Sequence, residues 1–521
     1  MFRLFVSLSI AVFVAATAIA QEKKSDQPEK KEGEPPKKDE KAEKKDDEKA
    51  PPPKESKGSV TLGGAKLDYV AKVGTMPVLK EDGTPRGDVF FVSYALAGAD
   101  GKPLAEKDPA ARPITFCFNG GPGSAAVWLH FGGLGPKRIV LPPDGLQPEL
   151  RGTIADNPNS ILDLTDLVFI DPIGTGVSRA AKGEKPEQFW GVDEDVESVG
   201  EFIRLFTTRE QRWMSPKFLC GESYGGIRGS GLVDYLQEQH GMYVDGLIVL
   251  SGVLNFQTLS SAIGNDLPYV IFLPTMTAAS HFHRKLPADL QKGDVDAAMK
   301  AAREFARNEY TVALMKGRDL TADERHSTAE KLARFTGLGA DLIESADLRI
   351  DPGVFREHLL RKEGKILGRF DARVTSSDAS QLRVTPEFDP SFTNVIGPFS
   401  AAVNSYIRQT LGYESDHPYR VLTGLNWNYR SFANRYVSME DHLADAMKAN
   451  PKLRVLILTG RCDLAVPGDS TLYSAAHLPI PEILRTNIIV QRYESGHMMY
   501  LNAPDAEKLR RDLVEFYGGK K

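Results

Sequence analysis

The chain is poor in cysteine. Its 521 residues hold three, Cys117, Cys220 and Cys462, too few for a disulfide framework. Each adjoins an apolar run, where cysteine serves as a small buried hydrophobe. An excess of one charge is also missing. Lys and Arg number 65 against 70 Asp and Glu, a net of -5, so the basic footprint of a nucleic-acid surface is lacking and no nucleic-acid partner is expected. Metal-ligand spacing is lacking too. His281 and His283 stand close together without further ligands, so no metal and no cofactor are expected. Internal repeats are not evident.

What is present begins with "MFRLFVSLSIAVFVAATAIA". A basic residue, an apolar run and a small-x-small end read as a signal peptide over 1–20, cleaved before Gln21. The expectation is a secreted or periplasmic protein with no stable membrane insertion after cleavage. Residues 21–58 are nearly all Lys, Glu, Asp and Pro. They carry too little apolar surface to offset the entropy of ordering, so a disordered charged linker is expected there.

From residue 59 the pattern alternates between strand and helix, as in "PITFCFNGG", "DLVFIDPIGTG" and "GLIVLSG" with an amphipathic helix from Val192 to Phe206 between the last two. Such alternation predicts an α/β fold with a mostly parallel central sheet. It covers 59–254, yields to helix-rich sequence over 255–430, and resumes over 431–521 with "LRVLILTG" and "NIIVQRYESGH". The reading is one α/β domain, in two parts, with a helical cap insertion over the C-terminal ends of the strands, where open α/β sheets bind ligands.

Within it, "KFLCGESYGG" centres Ser223 in a Gly-x-Ser-x-Gly turn between a strand and a helix, the context of the nucleophile elbow of the α/β-hydrolase fold. Serine needs a base to take its proton and an acid to orient that base. In this fold the acid and the histidine follow the serine, each in a loop after a later strand. Asp463 and His497 stand at those places, with Asp469 as a second choice for the acid. Backbone N–H groups would hold the oxyanion. The N–H of Tyr224, opening the helix, is one candidate, and that of Gly121 in the glycine-rich loop "FNGGPGS" is the other.

The order of Asn119-Gly120-Gly121-Pro122-Gly123, "NPNSILDLTDLVFIDPIGTGVS", "GESYGG", "GRCDLAVP" and "SGHM" resembles the serine carboxypeptidase family (peptidase family S10), in its bacterial type. The resemblance implies the triad Ser223, Asp463 and His497, with the Gly121 and Tyr224 amides as oxyanion hole. It further implies that Asn119 and Glu222 hold the free C-terminal carboxylate of a peptide, Glu222 in its protonated form. Two positions depart from the family. Cys117 stands where tryptophan is usual, and Gly133 stands where a glutamate usually pairs with the glutamate of the elbow. Without that like-charge neighbour, a milder acid preference or an altered specificity is expected. The function expected is a secreted serine carboxypeptidase acting on peptides through an acyl-enzyme. An esterase, acyltransferase or aminopeptidase with the same triad, or a catalytically silent binding protein, are the alternatives.

Overall fold

Runs such as Ile114–Phe118 and Gly246–Leu250 are apolar at nearly every position, which suits strands covered on both faces. They lie mid-sheet in the computed structural model, which describes residues 52–147, 150–377 and 382–518. The expected signal peptide and residues 21–51 of the expected linker lie outside the described residues. The strands are β1 (Lys54–Leu62), β2 (Ala65–Leu79), β3 (Pro85–Leu96), β4 (Ile114–Phe118), β5 (Asp166–Asp171), β6 (Lys217–Glu222), β7 (Gly246–Leu250), β8 (Arg454–Gly460) and β9 (Ile488–Tyr493). Their order is β1-β2-β3-β5-β4-β6-β7-β8-β9, and a short strand, Arg179–Ala180, pairs with β3. Neighbours are antiparallel from β1 to β5 and parallel from β5 to β9. Six C-terminal strand ends therefore share one edge.

The linker expected over 21–58 is too long at its C-terminal end, because β1 begins at Lys54. Composition counts side chains, whereas β1 is ordered by its backbone. Gly63 and Gly64, at φ 56° and 83°, turn the chain so that residues 54–62 pair with β2 from Lys54↔Val73 to Leu62↔Ala65.

Alternation along the strands splits the core in two. Phe116, Leu219, Leu247 and Val455 face α1 (Val192–Arg209) and α2 (Gly225–His240). Cys117, Cys220, Ile248 and Leu456 face the other way, toward Leu509, Leu513 and Phe516 of the helix Ala503–Phe516. Between β7 and β8 the chain is helical, with α3 (Leu267–Phe282) followed by Val295–Phe305, Ala322–Thr336, Pro352–His358 and Pro390–Ser405. Phe272, Met276, Phe305 and Phe355 form their own cluster there, which includes Cys462 and Leu464 from the loop after β8. The chain then crosses back over the strand-end loops, bridging Arg420 to Gly176, Leu422 to Ser124 and Asn428 to Gly191.

One buried ion pair ties α1 to α2. Arg228 Nε donates to Asp195 Oδ2 at 2.7 Å, with side chains only 1% and 2% exposed. Arg228 Nη1 also donates to the Asn119 carbonyl at 2.5 Å. Removing one member strands the other charge in the core, so Arg228→Ala is expected to cost about 3–5 kcal/mol. Urea denaturation reads that loss, and replacing both members with apolar residues should recover most of it.

Candidate active site

β6 ends at Glu222 and α2 starts at Gly225. Ser223 makes the turn between them at φ +63°, a left-handed conformation that costs a side-chain-bearing residue about 1–3 kcal/mol unless its surroundings enforce it. Here they do. The Ser223 N–H donates to the Leu250 carbonyl at 3.1 Å, and its own carbonyl accepts from Gly226 at 2.9 Å and Val253 at 3.2 Å. The flanking glycines are steric requirements. A Cβ on Gly221 would lie 2.1 Å from the Gly225 carbonyl oxygen, and one on Gly120 would lie 2.3 Å from the Tyr224 nitrogen. Glycine at both positions lets the loop after β4 rest against the elbow.

The loops after β8 and β9 bring Asp463 and His497 together. His497 Nδ1 donates to Asp463 Oδ2 at 2.7 Å, and the two side chains are 3% and 0% exposed. Asp463 Oδ1 accepts from the N–H groups of Ala465 at 2.8 Å and Val466 at 2.9 Å. Phe370 stacks on the imidazole at 5.0 Å, its carbonyl accepts the His497 N–H at 2.6 Å, and Ser251 Oγ donates to the His497 carbonyl at 2.7 Å. With Nδ1 committed as donor, Nε2 is left as the ring's acceptor. Burial alone would lower the pKa of this histidine, but the Asp463 carboxylate outweighs it and, with Glu222, carries it above the ordinary value.

Ser223 lines a cleft of ≈ 480 Å³ with Gly121, Tyr224, Phe256, Phe272 and Arg369. Among the described residues, the Ser223 hydroxyl makes no hydrogen bond to His497. The N–H groups of Gly121 and Tyr224 likewise have no acceptor in the described protein. Donors left free beside a nucleophile are uncommon, because backbone N–H groups are otherwise paired.

Glu222 and Asn119 meet behind the serine. Asn119 Oδ1 accepts the Leu129 N–H at 3.1 Å, which leaves its amide hydrogens as donors, and the Asn119 side chain acts to lower the Glu222 pKa. Tyr500 donates its hydroxyl to Glu222 Oε2 at 2.9 Å. Burial raises the Glu222 pKa to about 7, against the lowering effects of His497, Tyr500 and Asn119. Protonation thus does not need a carboxylate neighbour at position 133, since desolvation supplies the push.

The other candidates are engaged elsewhere. Asp469 pairs with Arg303, whose Nη2 donates to Oδ2 at 2.8 Å. His281 and His283 bond the carbonyls of Gly293 at 3.2 Å and Ala372 at 2.7 Å. No cluster of three or more His, Cys, Asp or Glu able to hold a metal occurs among the described residues. Three contributors escaped the sequence reading. Asp195 sits three residues after Val192 and four before Val199, on the apolar stripe of its helix, which was a usable signal. Arg228 follows Tyr224 by one turn in a segment of small and apolar residues. Tyr500, three residues past His497, had no local signal at all.

The family model described as "Serine carboxypeptidase" matches residues 104–499. The chain is 26% identical to the mouse (Mus musculus) "Lysosomal protective protein" over 155 residues, covering 29% of this chain and 30% of that one. It is 27% identical to "Serine carboxypeptidase-like 50" of Arabidopsis thaliana over 272 residues, covering 51% and 52%. It therefore spans from about a third to about half of the length of these curated relatives. The solved structure of Kex1(delta)p, a prohormone-processing carboxypeptidase from Saccharomyces cerevisiae, is similar in fold, with a TM-score of 0.50 at 16% identity over 86% of this chain and 91% of that one. With the model match running from before β4 to beyond His497, the chain belongs to the serine carboxypeptidase family.

Proposed function

We propose that this protein is a secreted serine carboxypeptidase that removes C-terminal residues from peptides through an acyl-enzyme on Ser223. One observation carries the reading: a buried carboxyl, Glu222, held by the Tyr500 hydroxyl, stands next to the serine and within electrostatic reach of Asn119 and His497. A general hydrolase has no use for a neutral acid there, whereas a peptide's C-terminal carboxylate needs such a donor. In this mechanism Ser223 Oγ attacks the last peptide carbonyl while His497 Nε2 takes its proton, with Asp463 fixing the tautomer. The Gly121 and Tyr224 amides stabilise the oxyanion. His497 then passes the proton to the leaving amine, and water hydrolyses the ester by the reverse roles. The Ser223–His497 hydrogen bond forms as substrate fills the cleft, since catalytic hydrogen bonds often reach their working geometry only in the substrate complex. Phe256, Leu259 and Phe272 supply an apolar wall for a substrate side chain.

The pH dependence follows in sign. Catalysis requires neutral His497, so kcat/KM rises with pH through that group's pKa. Binding of a free carboxylate requires protonated Glu222, so for such substrates kcat/KM falls again as pH passes about 7. A blocked dipeptide is expected to give a bell-shaped profile, and its C-terminal amide to react more slowly and lack the alkaline limb. Equal rates for acid and amide would count against this function, and Ser223→Ala should abolish both. Secretion rests on residues 1–20 and on the expected site before Gln21. N-terminal sequencing of the protein recovered outside the cytoplasm should begin at Gln21, and an intact Met1 would contradict the reading.

A further inference from the structure

Tyr500 has the setting of a built part and not of a filler. It lies in the turn Met499–Leu501, three residues past His497, and is 4% exposed. Its ring lies against Gly132 and Gly133. A Cβ on Gly132 would come within 2.3 Å of Tyr500 Cε2, and one on Gly133 within 3.2 Å of Cδ1. Gly132 thus has no room for a side chain beside the Tyr500 ring, and a side chain at position 133 would press on that ring. The glycine that departs from the family pattern and the phenol that bonds Glu222 are two halves of one arrangement.

We propose that Tyr500 is the positioning residue for Glu222, taking the place of a second carboxyl by donating to Oε2, turning the free face of the carboxyl toward the substrate's C-terminal carboxylate and favouring its ionised form. The inference rests on the proposed carboxypeptidase function. The two kinds of partner differ in chemistry. A second carboxyl repels a neighbouring charge and helps keep a proton in the pair. A phenol donates to a carboxylate and stabilises the charge. Burial and the nearby Glu222 push the Tyr500 hydroxyl well above its ordinary pKa, so it remains a donor throughout the working range. The titratable groups facing this pair are His497 and Asp463 on the Glu222 side and Cys220 on the Tyr500 side. The design lets Glu222 release its proton nearer neutral pH than a carboxyl pair would, so carboxylate binding responds to pH in that range.

The test is Tyr500→Phe in the full chain, assayed with a blocked dipeptide and its amide from acid to mildly alkaline pH. Loss of the donor should move the alkaline limb of kcat/KM for the free acid upward by about one pH unit. It should raise KM at acid pH, where orientation alone is lost, and leave kcat and the amide profile close to wild type. Labelling of Ser223 by a fluorophosphonate reports whether the variant is folded. If it is not, Gly133→Ala, which crowds the ring without removing the hydroxyl, should shift the same limb. An alkaline limb that stays at its wild-type position in a folded variant overturns the role of Tyr500. Wild-type protein that treats acid and amide alike overturns the underlying function, and this inference with it.

Discussion

A serine held at positive φ between two glycines is the constraint around which the other parts are arranged. Left-handed backbone at Ser223 is unfavourable on its own, and it persists because β7 and the start of α2 hold both its N–H and its carbonyl. The same turn places Ser223 and Tyr224 on the wall of the cleft that Gly121 also lines. It also fixes Glu222, the last residue of β6, directly behind the serine. Gly120 and Gly221 follow as necessities, since neither position has room for a methyl group.

Around that turn the charges are arranged by burial. Asp463 is fully enclosed, and two backbone N–H groups and the imidazole satisfy it. Glu222 is also enclosed but receives only neutral donors and a distant imidazole, so it leans toward its protonated form. The ion pair of Arg228 with Asp195 lies one layer deeper. It holds the Asn119 carbonyl and so sets the loop that carries Asn119 and Gly121.

Much of this was legible in the sequence because it depends on local spacing. The parallel strands, the helix from Val192 and the loops holding Asp463 and His497 each follow from apolar runs that end in glycine or turn residues. The parts that were not legible depend on partners distant in the chain. Lys54–Gly58 looked like linker because strand pairing leaves no mark in composition. With glycine at position 133, Glu222 was expected to lack a like-charge neighbour that helps keep it protonated, and so to give a milder acid preference or an altered specificity. Its environment is set instead by enclosure and by Tyr500, 278 residues away. Asp195 could have been noticed, since a carboxylate on an apolar helical stripe requires a buried cation.

The central claim is that Ser223, His497 and Asp463 act as one unit. Its most direct measurement is a crystal structure of the protein phosphonylated by an amino-acid phosphonate. The account predicts an adduct on Ser223 Oγ with His497 Nε2 about 2.6–3.2 Å from that oxygen, and the phosphoryl oxygen facing the N–H groups of Gly121 and Tyr224. An adduct on another residue, or an imidazole turned away from Ser223, would contradict it.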